Sequence, residues 1–262
     1  GEGDEGPQRT VGITRGYWLK ATELTQAEWK AMLTAMGGTV NPSHFSSCGV
    51  ECPVETVNWW ESLAYCNALS MSAGLAECYE LTGCNANKPG EDMECTGVTV
   101  NATGGNPLLC KGYRLPTEAE GEYAVRAGST TAFYNGPIIQ TGFDPVDPNL
   151  DAIGWYYGNS PSGTKTVGGK DANDWGLFDM SGNVWEWAWD WYKVDYYEDR
   201  IDALAGAADV DPLGPPSGDE RVLRGGAWDH FARHCRSAFR HYNVPGFNSD
   251  YPGLRPLRSA NP

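Results

Sequence analysis

Three of the chain's four histidines lie between Arg221 and Arg255, in RVLRGGAWDHFARHCRSAFRHYNVPGFNSDYPGLR, together with Cys235, Asp229 and Asp250. Imidazole, thiol and carboxylate groups in one stretch could move protons or hold a metal. His230 and His234 have the i, i+4 spacing of a metal-binding helix, but the neighbouring Gly225-Gly226 argues against a helix there. The stretch alternates a frame (RGGAW, CRSA, a Pro, a closing Gly-x-Arg) with clusters of His, Phe, Tyr, Asn and Asp. Rings mixed with short polar groups are the composition of adaptable binding surfaces. An ordinary C-terminal β region with aromatic packing would have a similar composition. No Ser–His–Asp order, phosphate loop or nucleotide fingerprint stands out.

A second constellation is Asp179-Met-Ser-Gly-Asn-Val-Trp-Glu186, the best metal candidate in the chain. Calcium takes six to eight oxygens, mixing carboxylates with backbone carbonyls. Alternatively, Glu186 caps a turn and Asn183 holds that turn by side-chain hydrogen bonds. The overlapping run WEWAWDWY (185–192) alternates its rings between two faces, as core or as an aromatic strip for carbohydrate.

Six of the eight cysteines fall in one loop-rich region: Cys48, Cys52, Cys78, Cys84, Cys95 and Cys110. Their spacings fit no common zinc pattern, so disulfides and an oxidising compartment are expected. Cys48–Cys52 is the expected local bridge, with the other four stapling an insertion at 78–110 whose pairing sequence cannot choose. Cys66 and Cys235 are expected as buried free thiols.

The elements that must position these groups are legible in part. Thr25 with Glu28 forms a capping box for a helix from Gln26 to Met36, with Trp29, Met32, Leu33 and Met36 on one face, ended by Gly37-Gly38. Asn58 with Glu61 starts a second helix that carries Trp59, Leu63 and Cys66 inward. Thr117 with Glu120 starts a third, shorter one behind Pro116. Beyond Gly128 no strong helix is expected, only short β-prone segments between Gly, Pro, Asn and Asp. Residues 1–9 (GEGDEGPQR) read as a disordered leading segment. There is no linker, repeat or coiled coil, so the expectation is one α+β domain over residues 1–262.

The 262 residues carry a formal charge of −15, which argues against nucleic-acid and anionic-membrane partners. No run of apolar residues is long enough to span a membrane. The first residue is Gly rather than Met, and a removed signal or lipoprotein leader is expected.

Five blocks in order, ATELTQAEW (21–29), SLAYCNALS (62–70), GYRLPTEAE (112–120), WGLFDMSGNVWEW (175–187) and RVLRGGAW (221–228), resemble the formylglycine-generating-enzyme (sulfatase-modifying factor) family. The resemblance implies an irregular, Gly/Pro-rich variant of the C-type lectin fold. It implies a structural calcium on Asp179, Gly182, Val184 and Glu186. The family's second calcium site, near Asn159, is not expected, because residues 158–169 are short and lack acids. It also implies that WEWAWDWY is core between sheet layers. Family catalysis needs two cysteines five residues apart after RGG-x-W, which bind copper and then engage a substrate cysteine. Here the second position is Cys235 and the first is His230, so the dithiol cannot form and copper is not expected. The His-rich iron motif of related sulfoxide synthases is missing.

The C-terminal frame also resembles the variable region of diversity-generating-retroelement proteins. In those proteins adenine-directed mutation turns AAC codons into NNC, which never encodes Lys, Glu, Gln, Met or Trp. These types make up 43 of the 262 residues, yet none occurs in 229–255. The positions between the frame residues are Asp229, His230, Phe231, His234, Phe239, His241, Tyr242, Gly246, Phe247, Ser249, Asp250 and Tyr251. All of them except Gly246 are the expected ligand-binding set, with Phe231, Phe239, Tyr242, Phe247 and Tyr251 largely exposed and Trp228, Cys235 and Ala238 buried. The expectation is a non-enzymatic, receptor- or adhesion-type protein, secreted or on the cell surface, with a protein or other macromolecular ligand. A copper oxidase using Cys235 and a structural envelope lipoprotein are the alternatives.

Overall fold

Thr25, Asn58 and Thr117 each begin a helix by the reciprocal bonding expected of them. The Thr25 Oγ1 accepts from the Glu28 amide at 3.2 Å while Glu28 accepts from the Thr25 amide at 2.9 Å. Asn58 with Glu61 and Thr117 with Glu120 repeat this at 2.9 to 3.2 Å. In this computed structural model, which describes residues 2–86 and 88–260, these helices are α1 (Gln26–Ala35), α2 (Trp59–Ser72) and α3 (Glu118–Arg126).

Two further helices correct the expectation of none beyond Gly128: α4 (Pro148–Ile153) and α5 (Tyr196–Leu204). Helix α4 is too short to show a period. The Asp147 carboxylate starts it by accepting from the Asn149 and Leu150 amides, with Pro148 at its first position. Helix α5 has no side-chain N-cap. Tertiary contacts hold it instead: Arg9 lies 3.7 Å over the Tyr197 ring and Arg200 pairs with Asp209 at 2.6 Å.

The strands are β1 (Val11–Gly12), β2 (Tyr17–Leu19), β3 (Tyr79–Thr82), β4 (Gly97–Val100), β5 (Tyr113–Arg114), β6 (Trp185–Trp191), β7 (Asp209–Val210), β8 (Arg221–Arg224), β9 (His241–Asn243), β10 (Pro252–Gly253) and β11 (Leu257–Ser259). The four-stranded sheet runs β10-β6-β8-β9, and a three-stranded sheet runs β2-β11-β5. The pairs β3-β4 and β1-β7 complete the α+β arrangement.

The largest apolar cluster draws on both ends of the chain, from Leu24 to Leu254, and includes Trp29, Trp59, Leu63, Trp185 and Trp187. Strand β6 is therefore core along most of its length. Arg221 is sandwiched there, 3.7 Å over Trp59 and 3.3 Å over Trp191. Burial pushes its guanidinium down to about 9. The Cys48–Cys52 bridge forms, and the other four cysteines pair in a nested way, Cys78–Cys110 around Cys84–Cys95. Inside this insertion β3 pairs antiparallel with β4. Cys66 and Cys235 are free and buried.

The leading segment is more ordered than its composition suggests. Gly3–Glu5 forms a 3₁₀ turn, Glu5 chelates the Arg236 guanidinium at 2.5 and 2.6 Å, and Asp4 accepts from the Tyr192 hydroxyl at 2.9 Å. Polar residues look disordered when they lack a packed partner. Here their partners sit almost the whole chain away. Gly1 lies outside the described residues.

Candidate functional site

The frame residues of 221–255 are held by buried ion pairs and a close backbone approach. Arg224 donates to the carbonyls of Ser237, Ala238 and Phe239 and to the Glu122 carboxylate, tying this loop to α3. Arg240 grips Glu118 at 2.7 and 3.0 Å. At Gly226, φ is +86°, and a Cβ there would lie 2.5 Å from the Cys235 Sγ. Only glycine meets both conditions.

Three separate pieces of the stretch converge above the buried ring of Trp185: Asp229–His234, Phe239–Tyr242 and Phe247–Tyr251. Ring centroids lie 5.3 Å from Trp185 to His230, 4.9 Å to His241 and 5.9 Å to Phe239. His230 stands 5.4 Å from His234, 5.9 Å from His241 and 5.7 Å from Tyr251. Phe247 packs at 5.6 Å from Tyr251. Most of the expected ligand-binding residues are thus brought together. Asp250 sits at the edge, its carbonyl accepting from the Trp228 indole and its carboxylate from Ser249.

The exposure expected of this set needs correction. Tyr242 is exposed, at 39%, but Phe231, Phe239, Phe247 and Tyr251 are half-buried. Phe239, Phe247 and Tyr251 lean on the main core, because Trp185 and its neighbours offer apolar surface directly beneath them. Cys235 is buried, whereas Trp228 and Ala238 are only half-buried. The face is a shallow aromatic bowl rather than a set of projecting rings.

Two of the bowl's three imidazoles are held neutral. Burial, followed by the nearby His230, pushes both His234 and His241 down to about 4. Their Nδ1 and Nε2 atoms, respectively, are buried without a hydrogen-bond partner. His230 instead bonds Asp229 at 2.6 Å. Those two nitrogens are covered, so the bowl as it stands offers a ligand the ring faces and edges rather than these atoms. Cys235 is 1% exposed, and burial pushes its thiol up to about 12. A thiol in that state is a poor nucleophile and a poor metal ligand.

Other parts of the site carried no readable signal in the sequence. Tyr192 stacks on Tyr242 with centroids 3.9 Å apart. The Cys-rich insertion forms a rim: Asp92 accepts from the Asn248 amide at 2.6 Å, and a Cβ on Gly246 would meet the Glu94 carboxylate. Trp185 belongs to a run whose alternation fitted core or a carbohydrate strip and gave no sign of a floor under 229–251.

The expected calcium quartet divides. Asp179 is buried, one of its oxygens accepts from the Gly168 amide at 2.6 Å, and the other has no partner. That orphaned oxygen suits a cation. Glu186 does not, because both its oxygens are taken by Arg255. The Gly182 and Val184 amides bond the Gly225 carbonyl and Glu23. Glu23, unremarked in the sequence, is a third buried acid. Burial first, then Asp179 and Glu186, raises its pKa well above the carboxylate range. Of the four, it is Glu186 that does not fit calcium as the residues stand. Among the described residues, no group of three or more His, Cys, Asp or Glu side chains stands ready to hold a metal. Asn159 spends its amide on Asp151 and Gly154.

Known proteins share this architecture. Chaperone protein LppX of Paenibacillus barcinonensis is 35% identical over 93% of this chain and 80% of its own length. The formylglycine-generating enzyme of Streptomyces coelicolor is 29% identical over 98% of this chain and 82% of its own. The solved structure of Treponema denticola variable protein 1 superposes with a TM-score of 0.74 at 30% identity, over 95% of this chain and 86% of that one. A family model described as "Sulfatase-modifying factor enzyme 1-like domain" matches residues 1–260, and the chain belongs to that family, on its C-type-lectin-like fold.

Proposed function

We propose that the chain is a non-enzymatic ligand-binding protein whose aromatic bowl, residues 229–251, takes a protein or other macromolecular ligand. The observation that carries this reading is the convergence of three separated segments above Trp185. Ring-rich, half-exposed groups occupy the face, while Arg224, Arg240 and Gly226 carry the frame beneath it. Such a division lets face residues change without loss of the fold. The likeness to a variable protein and the missing Lys, Glu, Gln, Met and Trp in 229–255 support a surface diversified by a retroelement. Three disulfides point to an extracellular or envelope setting, and secretion or surface display is part of the proposal.

The test has two arms. A reverse-transcriptase gene and a near-identical template repeat beside the coding sequence would establish diversification; their absence would remove it. Incubation with Cu(I), oxygen and a Cys-x-Pro-x-Arg peptide should leave the peptide cysteine unchanged. Turnover to formylglycine would replace the binding reading with an oxidase.

A further inference from the structure

We propose that the outer edge of β2 is a second, separate docking site, which takes an extended, acid-bearing peptide segment of another protein as an added strand. Strand β2 is the outermost of the sheet β2-β11-β5. Its register on β11 pairs Leu19 with Leu257, Trp18 with Arg258 and Tyr17 with Ser259. The flanking bonds from Lys20 N to Pro256 O and from Ala260 N to Gly16 O show which residues turn their backbone toward β11. In an antiparallel ladder this alternates, so Tyr17 and Leu19 direct N–H and C=O away from the sheet. No backbone partner meets them among the described residues.

That edge opens into a groove of about 390 Å³. Its far wall is Tyr123 and Ala124 of α3 with Trp175 and Leu177. The lining is apolar and unusually uncovered: Trp18 is 73% exposed, Tyr123 50% and Trp175 47%. The Tyr123 and Trp175 rings pack edge-on at 4.8 Å. Natural sheets shield open edges with Pro, Lys or a bulge, and Tyr17-Trp18-Leu19 has none of these. Open main-chain groups beside an apolar wall are what strand addition requires, the ladder giving affinity and the wall giving side-chain choice.

Charge selects the occupant. Arg15 lines the same groove, and its guanidinium makes no ion pair or hydrogen bond among the described residues, in a chain with 34 acidic residues. Arg224, Arg236, Arg240 and Arg255 are each bonded to a carboxylate; Arg15 is unspent. A carboxylate on the incoming peptide satisfies it. No residue of the groove belongs to the bowl at 229–251, so the two sites can fail independently.

The experiment uses the whole chain and a panel of acetylated peptides Thr-Xaa-Thr-Xaa-Glu, with Xaa drawn in all combinations from Val, Ile, Phe, Tyr and Trp. Amide chemical shifts and hydrogen exchange are followed at millimolar peptide. Members of the panel should shift the Tyr17 and Leu19 amides and slow their exchange. For a binding peptide, one of two N-methylated forms, at the Thr or at the Xaa nitrogens, should lose binding. Arg15→Ala should weaken binding by about tenfold, one step of roughly 1.4 kcal/mol, and Trp18→Ala should weaken it while both variants keep the wild-type melting temperature. The proposal is overturned if no peptide moves those two amides, if Arg15→Ala binds as well as wild type, or if sedimentation shows the edge closed by a second copy.

Discussion

Arg255 lies across the Glu186 carboxylate, its Nε 2.9 and 3.0 Å from the two oxygens and its Nη2 2.7 Å from one of them. The same guanidinium donates to the carbonyls of Lys20 and Phe178, so one side chain joins β6 to the end of β2 and to the loop that leads into β6. Burial works against its charge, but Glu186, with Glu23 and Asp179 behind it, more than offsets this and raises its pKa. Glu186→Gln strips half of a buried pair and should cost about 3–5 kcal/mol, because it leaves the guanidinium uncompensated. The loss should be equal with calcium and with chelator. Asp179 keeps a buried oxygen without a partner, so any rise in melting temperature with calcium should survive in Glu186→Gln and vanish in Asp179→Asn. A Glu186 variant that loses only the calcium-dependent part would return this residue to the ligand set.

The half-burial of the bowl sets graded costs for its rings. Tyr242→Ala removes an exposed ring stacked on Tyr192 and should cost only about 0.5–1.5 kcal/mol. Phe247→Ala and Phe231→Ala should each cost roughly 1–3 kcal/mol, below the 3–5 of a fully buried Phe. Trp185→Ala, at the floor, should cost the full amount. Denaturant melts of the four single variants check the order, and Phe247→Ala losing as much as Trp185→Ala would make the face ordinary core.

His234 and His241 have folded values near 4 against an ordinary 6.5. The unfolded chain therefore binds more protons than the folded one between about pH 6.5 and 4, and stability should fall as pH drops through that window. With screening at half-exposed rings the loss is roughly 1–2 kcal/mol per histidine. A His234→Phe, His241→Phe variant should lose correspondingly less stability between pH 7 and pH 5 than wild type. Equal losses in the two proteins would place these protons elsewhere.

Gly226→Ala forces a Cβ against both the thiol sulfur and the main chain of Cys235 while φ stays at +86°. Strain and overpacking together should cost about 2–5 kcal/mol. Removing the sulfur leaves the clash with the main chain in place. Cys235→Ala should therefore not rescue Gly226→Ala, and a rescued double variant would refute the packing account.

Buried at a pKa of about 12, Cys235 should resist alkylation in the native state. Mass spectrometry after iodoacetamide treatment should find it unmodified until denaturant is added. Rapid native labelling would revive it as a reactive group.

Local chemistry is what the sequence by itself determined. Capping boxes reach only three residues, so Thr25, Asn58 and Thr117 announced their helices. Gly225-Gly226 announced a turn, and the position of four cysteines announced a stapled insertion. The family blocks, spaced along the whole chain, announced the fold. The tertiary structure alone decided which cysteines pair, since several pairings satisfy the same spacings. It also decided that Glu5 anchors Arg236 and that Arg255 claims Glu186 from the calcium quartet, because partners far apart in the chain leave no periodic signal. The depth of the bowl was decided the same way. A phenylalanine in a variable stretch and one in a core read identically, and only the apolar floor beneath it, Trp185 at 5.9 Å from Phe239, determines how much of the ring water still reaches.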